Sequence, residues 1–450
     1  MRRPLGRGSS KAIKTPASNQ SQDRNRSSGG LHLQEYSLNV AGSLWVPAQL
    51  AGATLNGESN FIRLRNRSGQ TLTNIILDYC NFYTLIGGDV TTSLDTLKLN
   101  AAVAYPTVTD VVRAATDYML APGEYKSFEV LVNIPKDGTF YVCTDIAITN
   151  VGGRYASAYL GAGTISTADR SRESYIEPTP ASTKAAAGIA LTGPTSTTIF
   201  TPVAVRSKCY NRFSFGAMGD SWIVGAGDGG TSADVSIGFA GRATSGTGLG
   251  TVDGYPYVQH GFTGAKATDL DNADALKYRL MIAEKALSHI LIEPGVNDVV
   301  AAGLTLAGIK AALLSIAAQY VAVGVRPIAC TIGPRTGSTD SWATVANQTK
   351  SSAYIAGSDA VAGADSIITQ ELNDWIRTTP APFFDYFDAA DVVMSARNSV
   401  IWTVNTAWTN DAYTNDGVHP NRTSNSPEEG AVYPLRDALR TKLTAWRASA

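Results

Sequence analysis

At about residue 206 the chain changes character, from short alternating runs to strands that alternate with helices, and this change limits the folds open to it. Arg212 to Met218 reads as a strand, Ala273 to Leu287 as a helix and Ser288 to Glu293 as a buried strand. Leu304 to Val323 reads as a helix, Arg326 to Ile332 as a strand and Ala364 to Arg377 as a helix. Phe383 to Phe387 reads as a strand, and Pro427 to Arg447 closes with a helix. Strands joined by helical crossovers form a parallel sheet with helices on both faces. Ligands of such sheets bind beyond the carboxyl ends of the strands.

Residues 31–165 follow a different pattern. Phe61 to Arg65 alternates, Arg67 to Gln70 supplies a turn, and Thr71 to Tyr83 is a second β-branched and aromatic run. Ser127 to Val132 and Thr139 to Val142 flank Pro135-Lys136-Asp137-Gly138, which predicts a β-hairpin. Strands at this spacing predict a β-sandwich or jelly-roll-like domain. Residues 166–205 are rich in Ser, Thr, Ala and Pro and read as a connector crossing the surface. The expected layout is an arm at 1–30, a β-rich domain at 31–165, the connector at 166–205 and an α/β domain at 206–450.

Composition narrows the function. The 450 residues are 44% hydrophobic and 17% charged, which excludes a wholly disordered chain. The net charge of −1 hides an asymmetry: residues 1–30 hold seven basic residues and one acid, Asp23. That arm reads as disordered, and the remainder is net acidic, so nucleic acid is not an expected partner. Cys80, Cys143, Cys209 and Cys330 have no zinc spacing and read as buried free thiols, with a Cys80–Cys143 pair as the alternative. No apolar run is long enough to span a membrane, and no apolar segment follows the basic N-terminus as in a standard secretory signal.

Four segments carry chemistry. Phe213 to Met218 runs into Gly219-Asp220-Ser221, and a serine on a turn opening a helix presents its backbone N–H to a substrate. Gly261-Phe262-Thr263-Gly264 precedes a helix, where a glycine lets backbone N–H approach a ligand. Leu291 to Asp298 ends in Gly-x-Asn-Asp, placing the Asn297 amide at a strand end. Asp416-Gly417-Val418-His419 sets an acid three residues before a histidine, a spacing that fixes an imidazole tautomer. Each is common when taken alone. The glycines of Gly225 to Gly230 match a dinucleotide pattern but lie well past the strand end, with no clear βαβ unit following.

In this order and context the four segments resemble the SGNH hydrolase superfamily, the GDSL esterases, over residues 206–450. The resemblance implies a flavodoxin-like three-layer fold and a serine esterase mechanism with no metal or cofactor. It implies Ser221 as nucleophile, His419 as general base and acid, and Asp416 as its orienting partner. It also implies an oxyanion hole from the N–H groups of Ser221 and Gly264 and the side chain of Asn297. Gly261 competes with Gly264 for that role, and Trp222 stands where the GDSL name has Leu. The stretch between Ser221 and Gly264 has ten glycines within residues 225–254 and reads as an insertion and candidate lid.

A β-rich domain ahead of an SGNH domain resembles carbohydrate esterases that remove acetyl groups from polysaccharides, so an acetylated carbohydrate is the expected substrate. Trp222, Tyr255, Tyr257, Trp402, Trp408 and Tyr413 suit stacking on sugar rings, with packing in the core or at the rim as the other reading. Two alternatives stand beside this. One is a lipase or lysophospholipase. The other is a phage or prophage tail-type glycan-binding or attachment protein, with or without esterase activity, virion-associated or released by another route, with a homotrimer formed through the N-terminal domain.

Overall fold

The computed structural model describes residues 36–41, 44–45, 49–52, 57–84, 94–148, 150, 153–159, 172–176, 185–187, 198–228, 238–245, 254–300, 305–351, 368–405, 412–421 and 430–450. Residues 35–450 form one unit; residues 1–34, with the expected arm, lie outside the described residues.

The fold is mixed α/β. Its central sheet has six parallel strands: β1 (Leu44–Trp45), β2 (Phe215–Met218), β3 (Tyr257–Gln259), β4 (His289–Ile292), β5 (Arg326–Cys330) and β6 (Asp385–Phe387). Their spatial order is β1-β3-β2-β4-β5-β6. The last five, counted by themselves, run 2-1-3-4-5, a doubly wound order whose switch point lies between β2 and β4. β1 and β3 were not anticipated: strands of two and three residues carry no periodicity to read.

Described helices are α1 (Ser221–Val224), α2 (Gly238–Ser245), α3 (Ala267–Leu270), α4 (Ala273–Ala286), α5 (Val296–Val300), α6 (Leu306–Ala322), α7 (Ile368–Arg377), α8 (Ala389–Val393) and α9 (Val432–Ala448). The alternation of a strand sends successive side chains to opposite faces. Met218, Ile290, Ile292 and Ala329 share an apolar cluster with Leu276 and Ile282 of α4 and Ile309 and Ile316 of α6. Phe215, Ala217, Leu291 and Ile328 share another with Phe239 of α2 and Leu435, Leu439 and Trp446 of α9. Burial on both faces explains why β4 reads as an unbroken apolar run, His289 aside. In α6, Thr305 caps the N-terminus by accepting the Gly308 N–H at 3.0 Å, and Ile309, Leu313, Ile316 and Tyr320 form its buried stripe.

The remaining large sheets are antiparallel. One orders Tyr36–Asn39, Ala204–Cys209, Leu72–Cys80 and Tyr125–Ile134. Another orders Arg172–Ile176, Gly57–Arg65, Thr139–Ile148, Leu97–Ala104 and Val111–Leu120. Ile75 and Leu77 of the first share an apolar cluster with Ile62 and Phe140 of the second. A third, of three strands, joins Thr198–Ile199, Arg154–Tyr159 and Gln49–Gly52.

Two expectations need correction. The Pro135–Gly138 turn forms, with the Gly138 N–H donating to Pro135 O at 2.9 Å. Its flanking strands do not pair, however: Tyr125–Ile134 pairs with Leu72–Cys80, and Thr139–Ile148 with Gly57–Arg65 and Leu97–Ala104. A tight turn fixes a chain reversal, and here the reversal crosses between sheets. The described parts of 166–205 are not a surface connector either. Arg172–Ile176 is a strand beside Gly57–Arg65. The Asp145 carboxylate accepts the N–H groups of Ala185 and Ala186 at 3.0 and 2.8 Å, and Glu58 accepts that of Phe200 at 2.9 Å. Buried acceptors satisfy a backbone that composition alone reads as loop. Ala204–Cys209 completes the first antiparallel sheet, so the C-terminal α/β part takes its first strand at Phe215. All four cysteines are buried and free, which excludes the Cys80–Cys143 pair. Among the described residues no helix is long and apolar enough to cross a membrane.

Candidate active site

The candidate residues meet at the carboxyl ends of β2, β3 and β4. Asp220 caps α1, its side chain accepting the Trp222 N–H at 3.0 Å, and makes Ser221 the first helical residue. A first-turn N–H has no acceptor within its own helix, and Ser221 stands at that position. Gly264 follows β3 with φ +78°, and a Cβ built on it would meet nothing within 4 Å. At Gly261 the same atom would lie 2.8 Å from Ile223. Gly261 is therefore packed against α1, and Gly264 faces open space.

Ser221 and His419, far apart in sequence, lie side by side: Ser221 Oγ is 2.9 Å from His419 Nε2. His419 Nδ1 is 2.6 Å from Asp416 Oδ2. The N–H groups of Val418 and His419 both donate to Asp416 Oδ1 at 2.8 Å. Partial burial opposes ionisation of Asp416, but the bonds from the His419 ring and from these N–H groups outweigh it and hold the carboxyl well below its ordinary range. A carboxylate only accepts, so Nδ1 carries the proton and the Nε2 lone pair faces the serine.

Asn297 lies in α5, just past β4. Its Nδ2 donates to Asp220 Oδ2 at 3.0 Å and to Ala265 O at 3.1 Å. Both acceptors belong to the segments that carry Ser221 and Gly264, so the amide joins them in the resting site.

Three acids around this site were given no role by the sequence. Asp298 Oδ2 accepts the Ala267 N–H at 2.8 Å and so anchors the loop that follows Gly264. Burial pushes its carboxyl up to about 6. Glu293 Oε2 accepts the Asp220 N–H at 3.0 Å. Burial, and then the neighbouring Asp220 carboxyl, drive Glu293 well above its ordinary range. Asp220 and Asp298 sat inside the motifs, but the bonds from Asn297 to Asp220 and from Ala267 to Asp298 join positions 77 and 31 apart, where spacing gives no signal.

The proposed sugar-stacking aromatics need correction. Trp222, Tyr255, Tyr257 and Trp402 are buried in the apolar cluster beneath the site, where no sugar ring reaches them. Tyr413 is half-buried. Trp408 and most of the glycine-rich insertion lie outside the described residues. Among the described residues no three His, Cys, Asp or Glu side chains gather as a metal site.

No protein-family model matches the chain, and no curated protein matches it. The solved structures it resembles include GDSL-like acylhydrolases and carbohydrate esterases. A GDSL-like lipase from Bacteroides thetaiotaomicron is similar at 16% identity and a TM-score of 0.31, over 52% of this chain and 89% of that one. A family two carbohydrate esterase from Clostridium thermocellum, in complex with cellohexaose, is similar at 9% identity and a TM-score of 0.33, over 90% of this chain and 96% of that one. A catalytic mutant of an acetylxylan esterase from Geobacillus stearothermophilus is similar at 13% identity and a TM-score of 0.33, over 51% and 94%. At these identities and scores the function is judged from the chain's own residues.

Proposed function

We propose that the chain is a serine esterase of the SGNH type that hydrolyses carboxylic esters, most readily O-acetyl groups on a carbohydrate. The observation that carries this reading is the unbroken relay from Ser221 Oγ to His419 Nε2 at 2.9 Å and from His419 Nδ1 to Asp416 at 2.6 Å. Ser221 Oγ attacks the ester carbonyl and gives its proton to His419 Nε2, while Asp416 stabilises the imidazolium. The N–H groups of Ser221 and Gly264 take the developing negative charge, and Asn297 joins them by turning an amide hydrogen from its resting acceptors. His419 then protonates the leaving alcohol, and water reverses the sequence to release the acid.

The acetyl-carbohydrate part rests on the resemblance in layout, an antiparallel β-rich, sandwich-like module ahead of a three-layer hydrolase module, and not on the aromatics. A complete relay also favours an enzyme over a module that only binds. The test is hydrolysis of p-nitrophenyl acetate against the decanoate, followed by acetylated glycans. Wild type should prefer acetate, Ser221→Ala should be inactive, and Asn297→Ala should lower kcat by roughly 10²–10³-fold. A preference for decanoate would move the chain to the lipases. Full activity in Ser221→Ala would overturn the mechanism.

A further inference from the structure

Among the described residues 412–421, which carry Asp416 and His419, there is no helix or strand, and two consecutive carbonyls are held by buried tryptophans. Trp402 Nε1 donates to Gly417 O at 2.9 Å, and Trp222 Nε1 donates to Val418 O at 2.8 Å. The two indoles stack, with ring centroids 5.6 Å apart and planes at 28°. Neither is free to drift. Gln348 binds the Trp402 backbone twice, donating to its carbonyl at 2.9 Å and accepting its N–H at 3.0 Å. Trp222 lies against Gly333, where a Cβ would come within 1.9 Å of its ring. Behind the histidine, a Cβ on Gly227 would lie 2.9 Å from His419 Cβ.

Trp222 directly follows the nucleophile. Its backbone N–H is bound by Asp220, the cap of the nucleophile's helix, and its indole N–H is bound by the histidine loop. One rigid side chain therefore spans the two halves of the Ser–His pair. An aromatic indole has only two side-chain torsions to fix, and a buried N–H left without its acceptor is costly, so the span resists both stretching and rotation.

We propose that Trp222 and Trp402 are positioning residues that set the Ser221–His419 distance by holding the Val418 and Gly417 carbonyls. The proposal rests on the serine-esterase reading. It makes Trp222, at the position where the GDSL name has Leu, a part of the triad's support and not of substrate binding. Misplacing a base by about 1 Å costs on the order of 10²-fold in rate.

The test compares Trp222→Phe and Trp402→Phe with Trp446→Phe, a buried tryptophan of α9 whose indole binds Asp385 away from the loop. Each Phe variant keeps a ring and removes the indole N–H, and if one fails to fold the other carries the test. With p-nitrophenyl acetate, Trp222→Phe and Trp402→Phe should lose about 10–100-fold in kcat with KM changed less than about threefold. Trp446→Phe should keep wild-type kcat in its folded fraction. The downfield proton resonance of the His419 Nδ1–H should broaden or vanish in the first two variants and persist in the third, a readout that needs no turnover. Equal kcat and an unchanged resonance in all three variants would overturn the proposal. Failure of the wild type to turn over any ester would instead count against the esterase reading, with the resonance still deciding the clamp.

Discussion

Asp298 ties the Ala267 N–H and thereby the loop after Gly264, yet it is buried and its carboxyl is pushed up to about 6. A carboxyl raised above its unfolded value of about 3.9 binds its proton more tightly in the fold. The stability it lends is therefore present at low pH, falls as pH rises from about 4 through about 6, and is level above that. Asp298→Asn keeps an acceptor for Ala267 and removes the titration. Wild-type stability relative to this variant should fall by roughly 2 kcal/mol between pH 4 and pH 7, read by denaturant unfolding. A difference that does not vary with pH would contradict the placement of this acid. Ser221 and Asn297 were legible because they stand just past strand ends, and Asp416 and His419 because an acid three residues before a histidine carries its own signal. Glu293 was not, because its bond to Asp220 joins positions 73 apart and shows only when β2 and β4 lie side by side.

Between elements, the geometry of the Asp416–His419 loop depends on what surrounds it. Gly417 sits at φ +76°, and a Cβ there would come within 1.8 Å of Thr336 O and 2.8 Å of the Trp342 ring. The hairpin of Thr336–Ser338 and Gln348–Lys350 thus presses on the loop, and the Thr336 N–H donates to Gly417 O at 2.9 Å. Gly417→Ala should displace the hairpin or the histidine and lower kcat at least tenfold, together with a fall in Tm. Wild-type kinetics in that variant would show the contact to be slack. Elements with long periodic patterns, α4 and α6 above all, were read within a few residues, because a buried stripe repeats several times along them. The Pro135–Gly138 turn shows the limit: turn residues specify local backbone, whereas strand pairing is decided by which apolar face meets which, and that information is not local.

Across the whole molecule, the boundary expected at 206 divides what the sheets join. Tyr36–Asn39 pairs with Ala204–Cys209, and β1, from the same N-terminal stretch, adds to the parallel sheet beside β3. A fragment starting at residue 206 would lose β1 and leave the β3 edge open to pairing with other chains. It should be aggregated or insoluble by size-exclusion chromatography, where the full chain is not; a monodisperse, active fragment would contradict this. The alternation of strand and helix after 206 was legible where α4, α6 and α7 separate the strands, whereas residues 44–45 and 257–259 form strands too short to leave a pattern. A serine esterase needs an activated Ser221, and the most direct measurement of that needs no knowledge of the substrate. Intact protein is treated with a fluorophosphonate, and the modified residue is located by peptide mass spectrometry. One adduct per chain is expected, on Ser221, absent in Ser221→Ala and greatly slowed in His419→Ala. No adduct, an adduct on another residue, or equal labelling of His419→Ala would contradict the account.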